Sequence, residues 1–143
     1  MLIYLQVVIS MEIHKGRGYV YSIQYHIVWC VKYRHKIISP EFETDLLLLL
    51  QKIATDNKCS IVEFNTDLDH VHILVDCHPQ VYIPSLLKAL KGASARALMK
   101  KYGNTLKTKL WGGHLWNPSY FIATVSENTE SQIREYIQNQ KEK

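Results

Sequence analysis

Cysteine is scarce here. Only Cys30, Cys59 and Cys77 occur among 143 residues, an odd number with no CxxC spacing. That excludes a disulfide framework and a structural zinc site, and it fits a reduced, cytosolic setting. Long apolar runs are also missing. The apolar stretch at residues 1–10 is too short to span a bilayer, and it lacks a basic leader and a clear cleavage site. Met11 is an alternative start, so residues 1–14 read either as an N-terminal extension or as an extra strand. No repeat, linker or low-complexity segment divides the chain, and its length suits one domain over residues 1–143.

Acidic residues are absent from Cys77 to Ser126, whereas Lys88, Lys91, Arg96, Lys100, Lys101, Lys107 and Lys109 all lie there. The rest of the chain holds the other 10 basic residues and all 13 acids, a net of −3 within an overall +4. Such asymmetry is expected of a surface that faces a polyanion, and equally of a solvated helix face. Hydrophobic residues make up 47% and charged residues 21%, the balance of a folded protein.

The stretch from Asp67 to Asp76 alternates like a strand between polar turn signals. Side chains on a strand have period two, so His70 and His72 share one face and Val71, Ile73 and Val75 the other. Same-face neighbours sit roughly 6–7 Å apart, close enough for two imidazoles to converge on one ion. Two ligands do not make a committed metal site, and the plain alternative is two histidines on an exposed strand face.

Tyr19 to Tyr33 is rich in β-branched and aromatic residues and is expected to form one long strand. His26 on it reads as a packed or hydrogen-bonded residue. Lys32, Arg34, His35 and Lys36 make a basic exit. Ser39 followed by Pro40 opens a helix that should end near Asn57 and Lys58. Ser60 to Thr66 is a strand that pairs with His70–Asp76 as a hairpin. Ile83-Pro84-Ser85 opens a second helix, expected to stop at Gly103. Leu115 to Val125 is a last strand with Pro118 marking an edge or bulge. Thr129 to Gln132 has capping-box spacing and begins a terminal helix.

The resulting order predicts an α+β fold: a split β-α-β, ferredoxin-like or RRM-like antiparallel sheet, helices on one face, plus one extra C-terminal helix. The apolar Val71, Ile73 and Val75 face those helices, which leaves His70 and His72 on the opposite side. A terminal helix crossing that side would bring Tyr136 and Gln140, neighbours at i and i+4, near the histidines. Gln140 then offers a neutral oxygen ligand and Tyr136 a nucleophile. Mixed nitrogen and oxygen ligation suits Mg²⁺ or Mn²⁺ acting on a phosphodiester. No general base is evident.

Asp69-His70-Val71-His72 resembles the histidine–hydrophobic–histidine (HUH) motif of single-strand DNA nucleases. Tyr136-Ile137-Gln138-Asn139-Gln140 resembles the tyrosine helix of the single-tyrosine transposases of small hairpin-ended insertion sequences. Tyr25-His26-Ile27-Val28-Trp29 with Lys32-Tyr33-Arg34 is similar to that family too, as is Leu115-Trp116 with Ser119-Tyr120-Phe121 and Thr124-Val125. The likeness runs from about Lys15 to Gln140.

This resemblance implies a homodimer that binds imperfect hairpins and cuts single-stranded DNA beside them. Tyr136 would form a 5′-phosphotyrosine, and His70, His72 and Gln140 would hold the divalent ion. Strands would be rejoined without a nucleotide cofactor, and the tyrosine helix would dock on the partner subunit to give composite sites. Lys32, Arg34, Lys88, Lys91, Arg96 and Lys100 are the candidate DNA contacts, with Trp111, Trp116 or exposed tyrosines stacking on bases. A cytoplasmic protein without membrane partners is expected. Two other readings remain open: an HUH replication-initiator nickase or domesticated relative, and a non-catalytic RRM-like binding module. The latter lacks an aromatic RNP1-type run here.

Overall fold

The computed structural model describes residues 13–16, 19–110, 113–125 and 129–140. Two strands, β1 (His14–Gly16) and β2 (Tyr19–Tyr21), pair with each other outside the main sheet. The main sheet takes β3 (Gln24–Cys30), β4 (Cys59–Asp67), β5 (His70–Cys77) and β6 (Phe121–Thr124) in the order β4-β5-β3-β6. All its pairings are antiparallel. Helices α1 (Pro40–Asp56) and α2 (Ile83–Leu106) connect the strands, and α3 (Thr129–Asn139) follows β6. This is the split β-α-β arrangement, with β5 inserted between the two strands that α1 joins.

Local chemistry explains most of the boundaries. Ser39 has extended backbone and its Oγ accepts the Phe42 amide at 3.2 Å, while Pro40 occupies the first turn where no N–H is needed. Helix α1 ends at Asn57, whose amide reaches the Ile53 and Ala54 carbonyls, and Lys58 then takes a left-handed φ of 61°. Cys59 faces Cys77 and Asp67 faces His70 across the β4–β5 hairpin.

Val71, Ile73 and Val75 are fully buried against Phe42, Leu46 and Leu50 of α1 and Leu86 and Leu90 of α2. Burial of each such side chain contributes about 1.5–3 kcal/mol, so this face fixes the register of β5. A slip of one residue would drive His70 and His72 into that apolar layer.

Three boundaries differ from expectation. The long strand from Tyr19 is interrupted at residues 22–23 and ends at Cys30, so one expected strand becomes β2 and β3. Past the Val31–Trp116 bridge the chain makes a 3-10 turn at Lys32–Arg34, with left-handed φ of 55° at Tyr33 and 53° at Arg34. Left-handed backbone costs a non-glycine residue about 1–2 kcal/mol, so other contacts hold this turn.

Helix α2 runs through Gly103, which does not adopt the left-handed cap, and continues to Leu106 because Leu106 and Leu110 bury themselves in the core. The last strand shrinks to Phe121–Thr124, since Pro118 offers no amide to a ladder. Residues 1–12 lie outside the described residues, and with them the question of an extra strand there. Among the described residues no helix is long and apolar enough to cross a membrane.

Candidate active site

The second face of the sheet is lined by polar residues. Register places His70 opposite Cys30 and His72 opposite Val28, so these side chains share the face away from α1 and α2. Helix α3 packs there, burying Ile133 and Ile137 against Val28, with Phe121 and Tyr136 beside them. The face is therefore covered, and both histidines are fully buried.

Each histidine is oriented by a neighbour. His70 Nδ1 lies 2.7 Å from Asp69 Oδ1. Burial alone would raise the Asp69 carboxyl, but the His70 hydrogen bond and the Arg34 charge bring it below the usual carboxylate range. Asp69 is thus ionised and His70 Nδ1 donates to it, which turns Nε2 to the other edge of the ring.

His72 Nε2 lies 2.9 Å from His26 Nδ1, and the two rings stack with centroids 5.1 Å apart. Burial, followed by the nearby His26 and His70, lowers His72 to about 3, so it is neutral at physiological pH. His26 is lowered by burial as well. Neutral imidazoles are what metal ligation requires.

Gln140, just past α3, is buried, and its Oε1 has no hydrogen-bond partner among the described residues. A buried carbonyl oxygen left so is costly, and a cation is one way to satisfy it. Two imidazole nitrogens and one amide oxygen are a donor set that suits a divalent ion. No cluster of three or more His, Cys, Asp or Glu able to hold a metal occurs among the described residues.

Tyr136 is half-buried, and its Oη lies 3.1 Å from Ser119 Oγ. Burial raises its phenol to about 12; the Ser119 hydrogen bond opposes this and the nearby Cys30 adds to it. An open groove of about 570 Å³, lined in part by Phe121, Thr124, Tyr136 and Asn139, runs along this helix.

Ser119 is itself fixed. Its amide donates to Asn117 Oδ1 at 2.9 Å, and the Lys91 ammonium donates to the Asn117 and Ser119 carbonyls at 2.7 and 2.9 Å. Burial lowers Lys91 to about 8.

The basic candidates divide accordingly. Lys88, Arg96 and Lys100 are exposed on α2, and Lys32 is half-exposed with its ammonium 5.0 Å from the Tyr33 ring centre. Lys91 and Arg34 instead spend their donors inside the fold. Trp116 is a core residue, its indole N–H donating to Ser94 Oγ at 3.0 Å, so it is not available for stacking. Trp111 lies outside the described residues. Among the described residues, Tyr33, Tyr82 and Tyr120 are the exposed tyrosines, and Lys91 Nζ sits 5.7 Å from the Tyr120 ring centre.

Asp69, His26 and Ser119 gain roles at the site that sequence reasoning did not assign. The available signals were position: Asp69 directly precedes His70, and His26 and Ser119 lie inside blocks already singled out.

A split β-α-β sheet with paired histidines on its central strand, covered by a tyrosine-bearing helix, defines an α+β protein of the transposase fold. The family model described as "Transposase IS200 like" matches residues 19–140, and the chain belongs to that family. It is 50% identical over 137 residues to the ISDra2 transposase TnpA of Deinococcus radiodurans, covering 96% of this chain and 97% of that one. Identity is 31% over 122 residues to the transposase of insertion sequence element IS200 from Salmonella typhimurium, covering 85% and 79%.

Among solved structures, a crystal structure of a Deinococcus radiodurans transposase superposes with a TM-score of 0.83 at 46% identity, covering 89% of this chain and 97% of that one. A REP-associated tyrosine transposase, solved bound to a REP hairpin, shares the fold with a TM-score of 0.56 at 12% identity, covering 85% and 67%. Family membership carries DNA cleavage and strand transfer as the class of activity.

Proposed function

We propose that this transposase cuts and rejoins single-stranded DNA at hairpin-flanked insertion-sequence ends, with Tyr136 as the nucleophile, and that residues 1–143 form one catalytic domain. The observation that supports this most is the burial of His70, His72 and Gln140 Oε1 on the sheet face that α3 covers, with Tyr136 on the same helix. A divalent ion, Mg²⁺ or Mn²⁺, held by His70, His72 and Gln140 would polarise the scissile phosphate.

Tyr136 Oη loses its proton and attacks phosphorus; the P–O3′ bond breaks and the departing oxygen takes up a proton as a 3′-OH. The product is a 5′-phosphotyrosine, which preserves the phosphodiester energy so that a 3′-OH can reverse the step without ATP. Ser119 orients the phenol through its hydroxyl. Asp69 and His26 hold the two imidazoles in place. Lys32, Lys88, Arg96 and Lys100 grip phosphates with salt-dependent affinity.

The hairpin substrate rests on the family resemblance of the motifs, and in kind on the transposase of the same fold that was solved bound to a REP hairpin. Protease digestion of the DNA adduct followed by mass spectrometry tests the assignment. A nucleotide mass on the peptide containing Tyr136 supports it, and the same mass on another peptide rejects it.

Protonation of the nucleophile gives a pH prediction. Burial holds the phenol at about 12, so the phenolate is a small fraction at neutral pH and grows about tenfold per pH unit below that value. Single-turnover adduct formation should therefore climb steadily from pH 6 to 9. A flat profile would mean that proton removal from Tyr136 does not limit the step.

The working unit in this reading is a homodimer. If each site is shared, mixing Tyr136→Phe chains with His70→Ala chains restores part of the cleavage that neither performs alone. No recovery in verified heterodimers means either that each chain uses its own α3, the packing seen in the single chain, or that two intact sites are needed.

A further inference from the structure

The Arg34 side chain joins two parts of the site. Its Nε and Nη2 donate to Asp69 Oδ2 at 3.0 and 2.9 Å, and its Nη1 donates to the Ile137 carbonyl at 3.0 Å. Asp69 Oδ1 in turn accepts from His70 Nδ1 at 2.7 Å. One planar guanidinium therefore spans from the carboxylate that orients His70 to the residue that follows Tyr136.

We propose that Arg34 is a positioning residue, clamping the Tyr136 helix in register with the His70 end of β5; this rests on the tyrosine transesterification reading above.

The physical need for such a clamp is visible in α3. The last four carbonyls of a helix have no intrahelical partner, and the C-terminal end carries partial negative charge. Helix α3 has no basic residue in its own last turn. Arg34 supplies that cation from another element. The apolar contact holding α3 to the sheet is small, with Ile133 and Ile137 against Val28 beside Phe121 and Tyr136. A charge-assisted bond at the helix end is thus a large share of what sets its position.

Arg34 is only 16% exposed and Asp69 9%, so the pair is shielded from solvent and salt. The donor geometry is specific to arginine. A lysine ammonium keeps the charge but loses the fork that reaches both acceptors at once. The left-handed backbone at Tyr33 and Arg34 is the conformation this arrangement maintains.

The test uses the full chain carrying Arg34→Lys, with wild type and Tyr136→Phe alongside. Single-turnover adduct formation on labelled single-stranded DNA with hairpin ends is measured against DNA concentration. Amide hydrogen exchange of the free protein is followed in α3 and in β5. The expected Arg34→Lys result is a maximal rate about 10- to 100-fold lower with an unchanged half-saturating DNA concentration. Exchange should be about tenfold faster in α3 and unchanged in β5.

A raised half-saturating concentration with unchanged exchange would make Arg34 a DNA phosphate ligand and overturn the proposal. Faster exchange without loss of rate would overturn it too, leaving a structural contact alone. If Arg34→Lys fails to fold, Arg34→Gln is judged by the same criteria. Adducts formed by Tyr136→Phe would indict the nucleophile assignment, whereas their loss there beside an unaffected Arg34→Lys would indict the clamp alone.

Discussion

Tyr136→Phe eliminates the covalent protein–DNA adduct, lowering its rate by roughly 10⁴- to 10⁶-fold, the scale seen when an enzyme's nucleophile is removed. Binding of hairpin-ended DNA should survive almost unchanged. The substitution deletes one oxygen and one hydrogen bond, to Ser119 Oγ, and keeps the ring that packs beside Phe121. That lost bond is worth about 0.5–1.5 kcal/mol of stability, too little to unfold a domain. Adduct yield on a denaturing gel and affinity by filter binding check both halves. Adducts that persist in Tyr136→Phe would move the nucleophile elsewhere.

His70→Ala is the second large effect. It removes one of the two imidazoles and takes from Asp69 Oδ1 the donor it had, while Arg34 still holds Oδ2. Loss of an ion that contributes several kcal/mol of charge stabilisation lowers cleavage by about 10³-fold or more. Direct titration of Mn²⁺ by calorimetry should show weakened binding in the same variant. Cleavage at the wild-type rate would contradict the metal assignment. The comparison with Arg34→Lys is informative, because that variant keeps every proposed ligand and disturbs the link between Asp69 and α3.

Much of this fold was legible because its signals are local. The Ser39-Pro40 start of α1, the β4–β5 hairpin and the alternation that divides Val71 and Ile73 from His70 and His72 each follow from a few adjacent residues. The extra C-terminal helix was legible from the capping-box spacing at Thr129 to Gln132, and it lies across the second face.

What was not legible depends on distant partners. Gly103 reads as a helix stop until Leu106 and Leu110 are seen to bury beyond it. Trp116 reads as a stacking platform until Ser94 and the aromatic rings of Trp29 and Phe42 are found around it.

Charge was the least transparent property. Arg34 and Lys91 count as basic residues in any composition, and both serve as internal donors to backbone carbonyls. Their function comes from burial, which spacing does not reveal. Conversely, Asp69 gains its role from two partners, one adjacent in sequence and one 35 residues away.

In the proposed reaction a tyrosine of this chain becomes covalently joined to DNA in a metal-dependent step. A denaturing gel of the protein with labelled single-stranded DNA carrying the element ends, in Mg²⁺ and in EDTA, tests it most directly. The expected result is a shifted band that survives denaturation in Mg²⁺ and disappears in EDTA. Binding on a native gel with no covalent band under any divalent metal would contradict it, leaving a DNA-binding protein without the proposed chemistry.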